Sequence, residues 1–227
     1  MTFIEKYKKN AAALQAAHAY DPRDEHDACG VGLIAAIDGQ PSRSVVEAAV
    51  EALTNVWHRG AVDADGKTGD GAGIQVEIPQ AFFAEHVADT GHSVQGHIAV
   101  GQIFLPRTDL GAQEQARVIV EREILGFGYR LYGWRQVPTD TSCLGQKASA
   151  VRPEIEQVMI QLPVDADLAA VERDMYIIRR RIEAAGRDSA LTDLYVCSLS
   201  TRSLVYKGMF LAEDIDNFYL EIQCFSG

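Results

Sequence analysis

Residues 27–37 read Asp27-Ala28-Cys29-Gly30-Val31-Gly32-Leu33-Ile34-Ala35-Ala36-Ile37 and mark the sharpest change of character in the chain. The segment before them is acidic and carries a helix-breaking proline, Pro22. From Cys29 onward the residues are apolar and interrupted by glycine, which is typical of a short buried strand. The pattern therefore predicts a strand at 29–37 that opens on a thiol.

Cys29 has two interpretations on the residues alone. A lone cysteine is more often a small buried hydrophobe than a nucleophile. Here, however, neighbouring glycines let the backbone approach a substrate, and the polar segment before Cys29 offers a place for cleavage. Once exposed as an N-terminus, its α-amino group, with a reference pKa of about 7.7–8.0, would be a usable base at neutral pH. That amine would activate the thiol as a nucleophile.

Composition limits the class of protein. With 227 residues, 47% of them hydrophobic, we expect one large globular unit. The longest uncharged apolar stretch, 28–37, is about half of the roughly 20 residues that a membrane span needs, and the N-terminus lacks the apolar region of a secretory signal. The net charge of −11 gives no basic footprint for nucleic acid. A small molecule or another protein is the expected partner.

The four cysteines are widely spaced and form no C-x-x-C pair: Cys29, Cys143, Cys197 and Cys224. This spacing argues against both a disulfide framework and a zinc ribbon, so we expect a reducing, cytoplasmic setting. The histidines show no metal-ligand spacing either. We assign chemistry to none of the cysteines except Cys29.

Apolar periodicity predicts alternating helices and strands. A capping box at Ser44 and Glu47 should begin a helix that ends near His58–Gly60, and Asp167 should cap a long helix that ends at Gly186. Further helices are expected at 6–19, after Pro79 and at 113–125, and strands at 74–78, 97–105, 129–137, 156–162, 194–199 and 204–209. Mixed content of this kind requires sheets covered by helices.

The glycine-rich segment between Gly60 and Gly73 is predicted to be a loop. It is not a dinucleotide site, because a loop precedes its glycines and a strand follows them, whereas that site needs a strand before and a helix after. It is not a calcium loop either, because Lys67, Thr68 and Ile74 occupy the positions of an acidic ligand, the turn glycine and the bidentate glutamate.

Three ordered motifs carry a resemblance to a known family. They are Asp27-Ala28-Cys29-Gly30-Val31-Gly32, Val56-Trp57-His58-Arg59-Gly60-Ala61 and Thr68-Gly69-Asp70-Gly71-Ala72-Gly73. With segments 142–145 and 152–157, they closely resemble the N-terminal glutaminase domain of the glutamate synthase large (alpha) subunit. That domain is a class II glutamine amidotransferase of the N-terminal-nucleophile hydrolase group. The resemblance runs from about Tyr20 to about Asp214.

The resemblance implies an α+β fold, a four-layer αββα sandwich. It implies a leader at 1–28, removed to expose Cys29, and a partial amidotransferase domain at 29–227. The implied reaction hydrolyses glutamine to glutamate and ammonia through a Cys29 thioester, and the ammonia serves glutamate synthesis from 2-oxoglutarate in the full enzyme.

The resemblance also implies site residues and partners. Arg59 helps to shape the glutamine site, although it could instead only cap the preceding helix. The loop residues Gly69, Asp70 and Gly71 are expected near the nucleophile, although they could form a simple turn. No cofactor is expected in this chain, whereas FMN and a 3Fe–4S cluster are implied for the full-length parent. Glutamine, the remaining synthase domains and a small electron-transfer subunit are the expected partners, with neither nucleic acid nor membrane.

The chain departs from the family pattern after Asp214. An Arg-x-Ser-Thr-Asn type motif and an Asn-Gly pair, which supply the carboxylate-binding arginine and the oxyanion hole, have no match in residues 215–227. Because one lost oxyanion donor costs about 10²–10³ in rate, we expect a chain truncated at its C-terminus and weak in activity. The alternatives are a non-catalytic truncated fragment or interaction module, and a thiol hydrolase that uses an internal Cys29 with His58.

Overall fold

The computed structural model describes residues 2–16, 29–56 and 60–225. The chain divides into two compact units, Met1–Gly30 and Val31–Gly227, and each is described by itself. The first unit contains helix α1, Phe3–Ala16, where 6–19 was predicted. A reciprocal cap begins α1: the Glu5 carboxylate accepts from the Thr2 N–H (2.8 Å) and the Thr2 hydroxyl accepts from the Glu5 N–H (3.3 Å).

The second unit alternates helices and strands in chain order. Its elements are α2 Arg43–Asn55, β1 Ala72–Glu77, α3 Gln80–Asp89, β2 Ile98–Leu105, α4 Leu110–Gly126, β3 Arg130–Gln136, α5 Gln146–Val151, β4 Glu154–Gln161, α6 Leu168–Asp188, β5 Tyr195–Ser200, β6 Ser203–Gly208 and α7 Ile215–Phe218. Within the described ranges, 3₁₀ helices lie at Thr141–Cys143, Ala212–Asp214 and Leu220–Cys224. None of the helices in the described ranges combines the length and apolar composition needed to cross a bilayer.

The strands form two antiparallel sheets. One has four strands in the order β3-β4-β2-β5, and the other consists of β1 and β6. Most of these strands lie where the sequence predicted them, and helices flank them. The content is therefore α+β, as predicted.

Two apolar clusters form the core of the second unit. Helices α4 and α6 cover one face of the four-stranded sheet, where Ile119 and Met175 meet Val158 of β4. The other face of that sheet meets the two-stranded sheet, where Met159 joins Tyr206 of β6. β2 is buried on both faces and is a nearly continuous apolar run, whereas β4 is also buried but includes the polar residues Glu156 and Gln157.

The predicted strand at 29–37 is wrong. Residues 29–36 carry no regular structure, and a turn follows in which the Gly39 N–H donates to Ala36 O (3.1 Å). Val31 is 90% exposed and Leu33 89%. A strand requires a partner for its backbone groups, and among the described residues β1 pairs with β6 alone. Apolar composition indicates a preference for burial, but it does not determine which strand a segment pairs with.

The predicted capping box of α2 is also wrong. The helix begins at Arg43, with Ser42 as N-cap, and no side chain caps its first turn. The Ser44 hydroxyl instead bonds to the Ser42 hydroxyl (2.9 Å). The helix ends at Asn55, and the predicted stop at 58–60 falls partly on residues 57–59, outside the described residues. The Asp167 cap of α6 is confirmed, because its carboxylate accepts from the N–H groups of Ala169 (3.0 Å) and Ala170 (3.3 Å).

Candidate active site

Cys29 is a free, exposed cysteine. It lies at the end of the first unit, and it is followed by the exposed residues Gly30 and Val31. The segment 17–28, where the predicted cleavage falls, lies outside the described residues. An exposed thiol contradicts the alternative in which Cys29 is a buried core residue.

Arg59 and His58 also lie outside the described residues. The structure describes the chain on either side of them, from α2 to Val56 and again from Gly60. The assignment of Arg59 to the glutamine site therefore stays a prediction. The same holds for the thiol hydrolase that would use His58.

The predicted site loop folds back on itself before β1. An isolated bridge joins Val62 to Gly69, and the Asp63 N–H donates to Thr68 O (2.9 Å). The Asp70 N–H donates to Ala61 O (3.1 Å), which closes the loop one residue further out. Asp70 and Gly71 are exposed at the point where the loop enters β1. These bonds give the segment a defined conformation.

Asp65 organises the interior of this loop. Its carboxylate accepts from the Thr68 hydroxyl (2.6 Å) and from the N–H groups of Thr68 (2.7 Å) and Lys67 (3.0 Å). These hydrogen bonds, with the Thr68 hydroxyl first, hold the pKa of the Asp65 carboxyl well below its usual range. The neighbouring Asp63 forms an ion pair with Lys147 of α5 (2.6 Å). The carboxylates of Asp63 and Asp65 thus both bond to other groups of the chain.

The glycines of the loop permit close packing against the backbone of β6 and of the residues that follow it. A Cβ on Gly69 would overlap the carbonyl oxygen of Phe210, and one on Gly73 would lie 2.8 Å from the carbonyl oxygen of Tyr206. Real Cβ atoms do not tolerate such distances to backbone. The sequence left open whether these glycines form only a turn. In the structure Gly69 and Gly73 are required by contact with the backbone of β6 and the residues after it.

A groove beside β1 was not predicted from the sequence. It is a cavity of about 320 Å³ in the second unit, bounded by three segments: Ile34–Ala36, the first turns of α2, and Gln75–Glu77 of β1. Phe225 closes one part of its wall. The groove combines apolar walls with the polar side chains of Gln75 and Glu77. No local pattern could have identified it, because its lining residues come from separate parts of the chain.

Two of the remaining cysteines, Cys197 and Cys143, have surroundings that disfavour the reactive thiolate. Burial raises the pKa of the Cys197 thiol to about 11. Burial also raises the pKa of Cys143, whose thiol donates to Asp140 O (3.4 Å). Within the three described ranges, no group of three His, Cys, Asp or Glu side chains lies close enough together to hold a metal ion.

Comparison of the sequence with known proteins places the chain in a family. The profile of the class-II glutamine amidotransferases matches residues 29–225. The chain is 59% identical over 221 residues to the glutamate synthase (NADPH) large chain of Azospirillum brasilense, covering 97% of this chain and 15% of that protein. It is 38% identical over 224 residues to ferredoxin-dependent glutamate synthase 1 of Arabidopsis thaliana, covering 96% of this chain and 14% of that protein.

A third relative, the glutamate synthase (NADPH) large chain of Bacillus subtilis, is 35% identical over 208 residues, which cover 90% of this chain and 13% of that protein. The chain thus spans about one seventh of the length of these relatives. The family profile, by contrast, accounts for nearly the whole chain from Cys29 onward. The chain belongs to the class-II glutamine amidotransferases.

Proposed function

We propose that this chain is the glutaminase portion of a glutamate synthase large subunit, with Cys29 as its nucleophile. The observation that carries the proposal is the position at which the family match begins, Cys29 itself. A boundary at this residue is what an N-terminal nucleophile requires, since only a terminal cysteine has a free α-amino group. The glutamate synthase names of the relatives support the assignment to that enzyme.

The proposed reaction has two halves. After removal of the leader 1–28, the α-amino group of Cys29 accepts the thiol proton, and Sγ attacks the side-chain amide carbon of glutamine. The C–N bond breaks, the leaving nitrogen takes the proton, and ammonia departs from a γ-glutamyl thioester. Water then attacks the thioester, glutamate leaves, and the thiol is restored. Neither half involves oxidation or reduction.

Two further groups complete the proposed site. Arg59 would bind or orient the substrate, because a guanidinium makes paired hydrogen bonds with a carboxylate. Gly69, Asp70 and Gly71 would line the site beside the nucleophile. The bonds of Asp65 to Thr68 support this role, since they give the loop that carries these residues a defined shape.

We further propose that the fold is the four-layer αββα sandwich of the N-terminal-nucleophile hydrolases. The two stacked sheets and the helices α4 and α6 on the outer face support it. The assigned regions remain a leader at 1–28 and an amidotransferase domain at 29–227.

In a complete synthase, ammonia from this reaction would reach 2-oxoglutarate at a site in other domains of the large subunit. The relatives are named for NADPH or ferredoxin, so such domains would receive electrons from one of these donors, with a small electron-transfer subunit as a further partner. We assign FMN and a 3Fe–4S cluster to those domains. The described residues of this chain offer no cluster of ligands that fits the iron–sulfur group, and no step above passes through it. We propose a cytoplasmic setting for the whole enzyme.

Intact mass and ammonia release test the proposal together. The expressed protein should have a mass that lacks residues 1–28 and should release ammonia from glutamine. Cys29→Ala should abolish the ammonia release, whereas Cys224→Ala, at another exposed cysteine, should preserve it. A mature chain that retains residues 1–28, or ammonia release that survives Cys29→Ala, would contradict the nucleophile assignment.

One observation favours the non-catalytic alternative. Residues 215–224 form two short helices whose apolar side chains join the core, and neither helix carries the motif that the family resemblance implies for the oxyanion hole. In that case the protein should retain its fold but release no ammonia, and a glutamine-analogue electrophile should leave Cys29 unlabelled. Labelling of Cys29 by such an electrophile would exclude this alternative.

A further inference from the structure

Glu221 is a carboxylate buried between the two sheets, with only 3% of its surface exposed. It follows α7 in the 3₁₀ helix Leu220–Cys224. Its Oε2 atom pairs with Arg135 of β3 (2.7 Å), and its Oε1 atom accepts from the Tyr206 hydroxyl of β6 (2.5 Å). The Gln157 amide of β4 also approaches Oε1 (3.2 Å). One carboxylate therefore connects strands of both sheets.

The direction of donation can be assigned for each hydrogen bond in this cluster. Gln157 donates from Nε2 to Gln102 Oε1 (2.7 Å), and its own Oε1 accepts from Arg135. This fixes which atom of each amide is the nitrogen. Arg135, Gln157 and Tyr206 thus all present donors to Glu221, so Glu221 can act only as an acceptor. That is the role of an ionised carboxylate, and Arg135 is its counter-charge.

The segment Tyr219–Phe225, which we call the strap, is held at two other points. Arg43 of α2 donates to Ile222 O (2.5 Å) and Phe225 O (3.4 Å). The Phe225 ring packs edge-on against Phe82 (5.3 Å between centroids) and lies 5.8 Å from the ring of Tyr206. Phe225 then forms part of the wall of the groove beside β1. The strap thus connects the buried carboxylate to the groove.

We propose that Glu221 is a buried clasp that positions the strap and, through Phe225, the loop 36–41, whose residues Ala36 and 39–41 also line the groove. Without its charge, Arg135 is left as a buried cation with no other ion-pair partner among the described residues, which favours opening of the strap toward water. Opening removes Phe225 from the groove wall and frees the loop 36–41. The four-stranded sheet has its own ladders and a second apolar cluster, so it stays folded. The clasp operates independently of the Cys29 chemistry.

Hydrogen–deuterium exchange of the full chain tests the clasp, with Glu221→Gln as the variant. The strap amides of Tyr219, Ile222 and Phe225 each donate to a backbone carbonyl in the native state. In the variant they should exchange roughly 10- to 100-fold faster, since a charge-assisted bond is lost. The amide of Gly39, bonded to Ala36 O, should accelerate with them. Amides of β4 should keep their native exchange rates.

Two further variants keep the test decisive. Glu213→Gln makes the same chemical change at an exposed position shortly before the strap, and it should leave all rates unchanged. Tyr206→Phe removes one donor but keeps the ring, so its strap amides should accelerate by a smaller factor even if Glu221→Gln does not fold. Strap amides unchanged in Tyr206→Phe and in a folded Glu221→Gln would overturn the clasp. Equal acceleration of amide exchange in the strap and in β4 would also overturn the clasp. If the strap amides exchange faster while the Gly39 amide stays protected, the connection to the groove is refuted.

Discussion

Gly145 and Asp65 lie in such close contact that a Cβ on Gly145 would overlap the Oδ2 atom of Asp65. The same Cβ would lie 2.7 Å from the backbone nitrogen of Thr68. The residue before α5 is therefore packed directly against the hydrogen-bonded interior of the loop that contains Gly69–Gly71. A side chain at position 145 can be accommodated only by moving the loop.

Gly145→Ala should consequently lower the free energy of unfolding by about 1–3 kcal/mol, the usual cost of overpacking. Urea denaturation followed by circular dichroism measures it. The matched control is Gly126→Ala, because a Cβ there meets nothing within 4 Å and should cause no loss. Equal stability of the Gly145→Ala variant and the wild type would contradict the close contact.

Replacing Ala190 by glycine should stabilise the protein. Ala190 follows α6 with φ of 56°, a left-handed conformation that favours glycine. The bonds of a Schellman motif surround it: its N–H donates to Arg187 O (3.0 Å) and the Leu191 N–H donates to Gly186 O (2.9 Å). We expect a gain of about 0.5–1 kcal/mol in thermal or urea unfolding.

The opposite change inside the same helix is the control for Ala190→Gly. Ala184→Gly, in the interior of α6, should cost about 0.5–1 kcal/mol because glycine is a poor helix former. If both variants lose stability by the same amount, the left-handed conformation of Ala190 carries no strain in solution.

Glu172 should make stability depend on pH in the acidic range. Burial alone would raise the pKa of its carboxyl, but hydrogen bonds from the Thr201 N–H, the Thr201 hydroxyl and the Ser200 hydroxyl outweigh it, and the pKa is lowered from 4.5. The folded state therefore favours the ionised form. Its contribution is fully present above about pH 4.5 and is lost as the pH falls through the lowered value.

Glu172→Gln measures that contribution. The variant should be less stable than the wild type at pH 7, and the difference should shrink as the pH is lowered from 5 to 3. The exposed Glu85 of α3 offers a control, since Glu85→Gln should show no such convergence. A difference that grows on acidification would mean that the assigned direction of the Glu172 pKa is wrong.

The cysteines should react with iodoacetamide in a fixed order at pH 8. Cys29 and Cys224 are exposed. Cys197 is buried and its pKa is raised to about 11, so roughly a thousandth of it is thiolate at pH 8. Peptide mass spectrometry should find Cys197 labelled at least about 100-fold more slowly than the exposed pair. In urea the difference should vanish, and its persistence there would show that burial does not cause it.

Elements whose signal is local could be predicted from the sequence. Asp167 caps α6 through N–H groups two and three residues away, so the cap needs no other part of the chain. The apolar face of α6 repeats with the helix period, β2 is a nearly continuous apolar run, and both elements were found as predicted. The α5 helix escaped prediction because its six residues are too short to show a period.

Features that need a distant partner could not be predicted. The apolar run 29–37 has the composition of a strand but pairs with no strand in the described residues. Arg135 and Glu221 are separated by most of the C-terminal half, and nothing near Glu221 in sequence announces a buried cation. The catalytic role of Cys29 stays a prediction from motif resemblance, because the structure shows only that its thiol is exposed. The role of Arg59 stays one because Arg59 lies outside the described residues.

The order of residues was sufficient for the family and for most helices and strands, because motif spacing and hydrophobic period are properties of neighbouring residues. Packing in three dimensions was needed to show why Gly69 and Gly145 must be glycine and how the groove beside β1 is closed. It also revealed the burial of Glu221 between the sheets. Each of these features depends on atoms that come within a few ångströms of one another only after the chain has folded. The effect of such contacts on the free energy of folding therefore arises only in the folded structure.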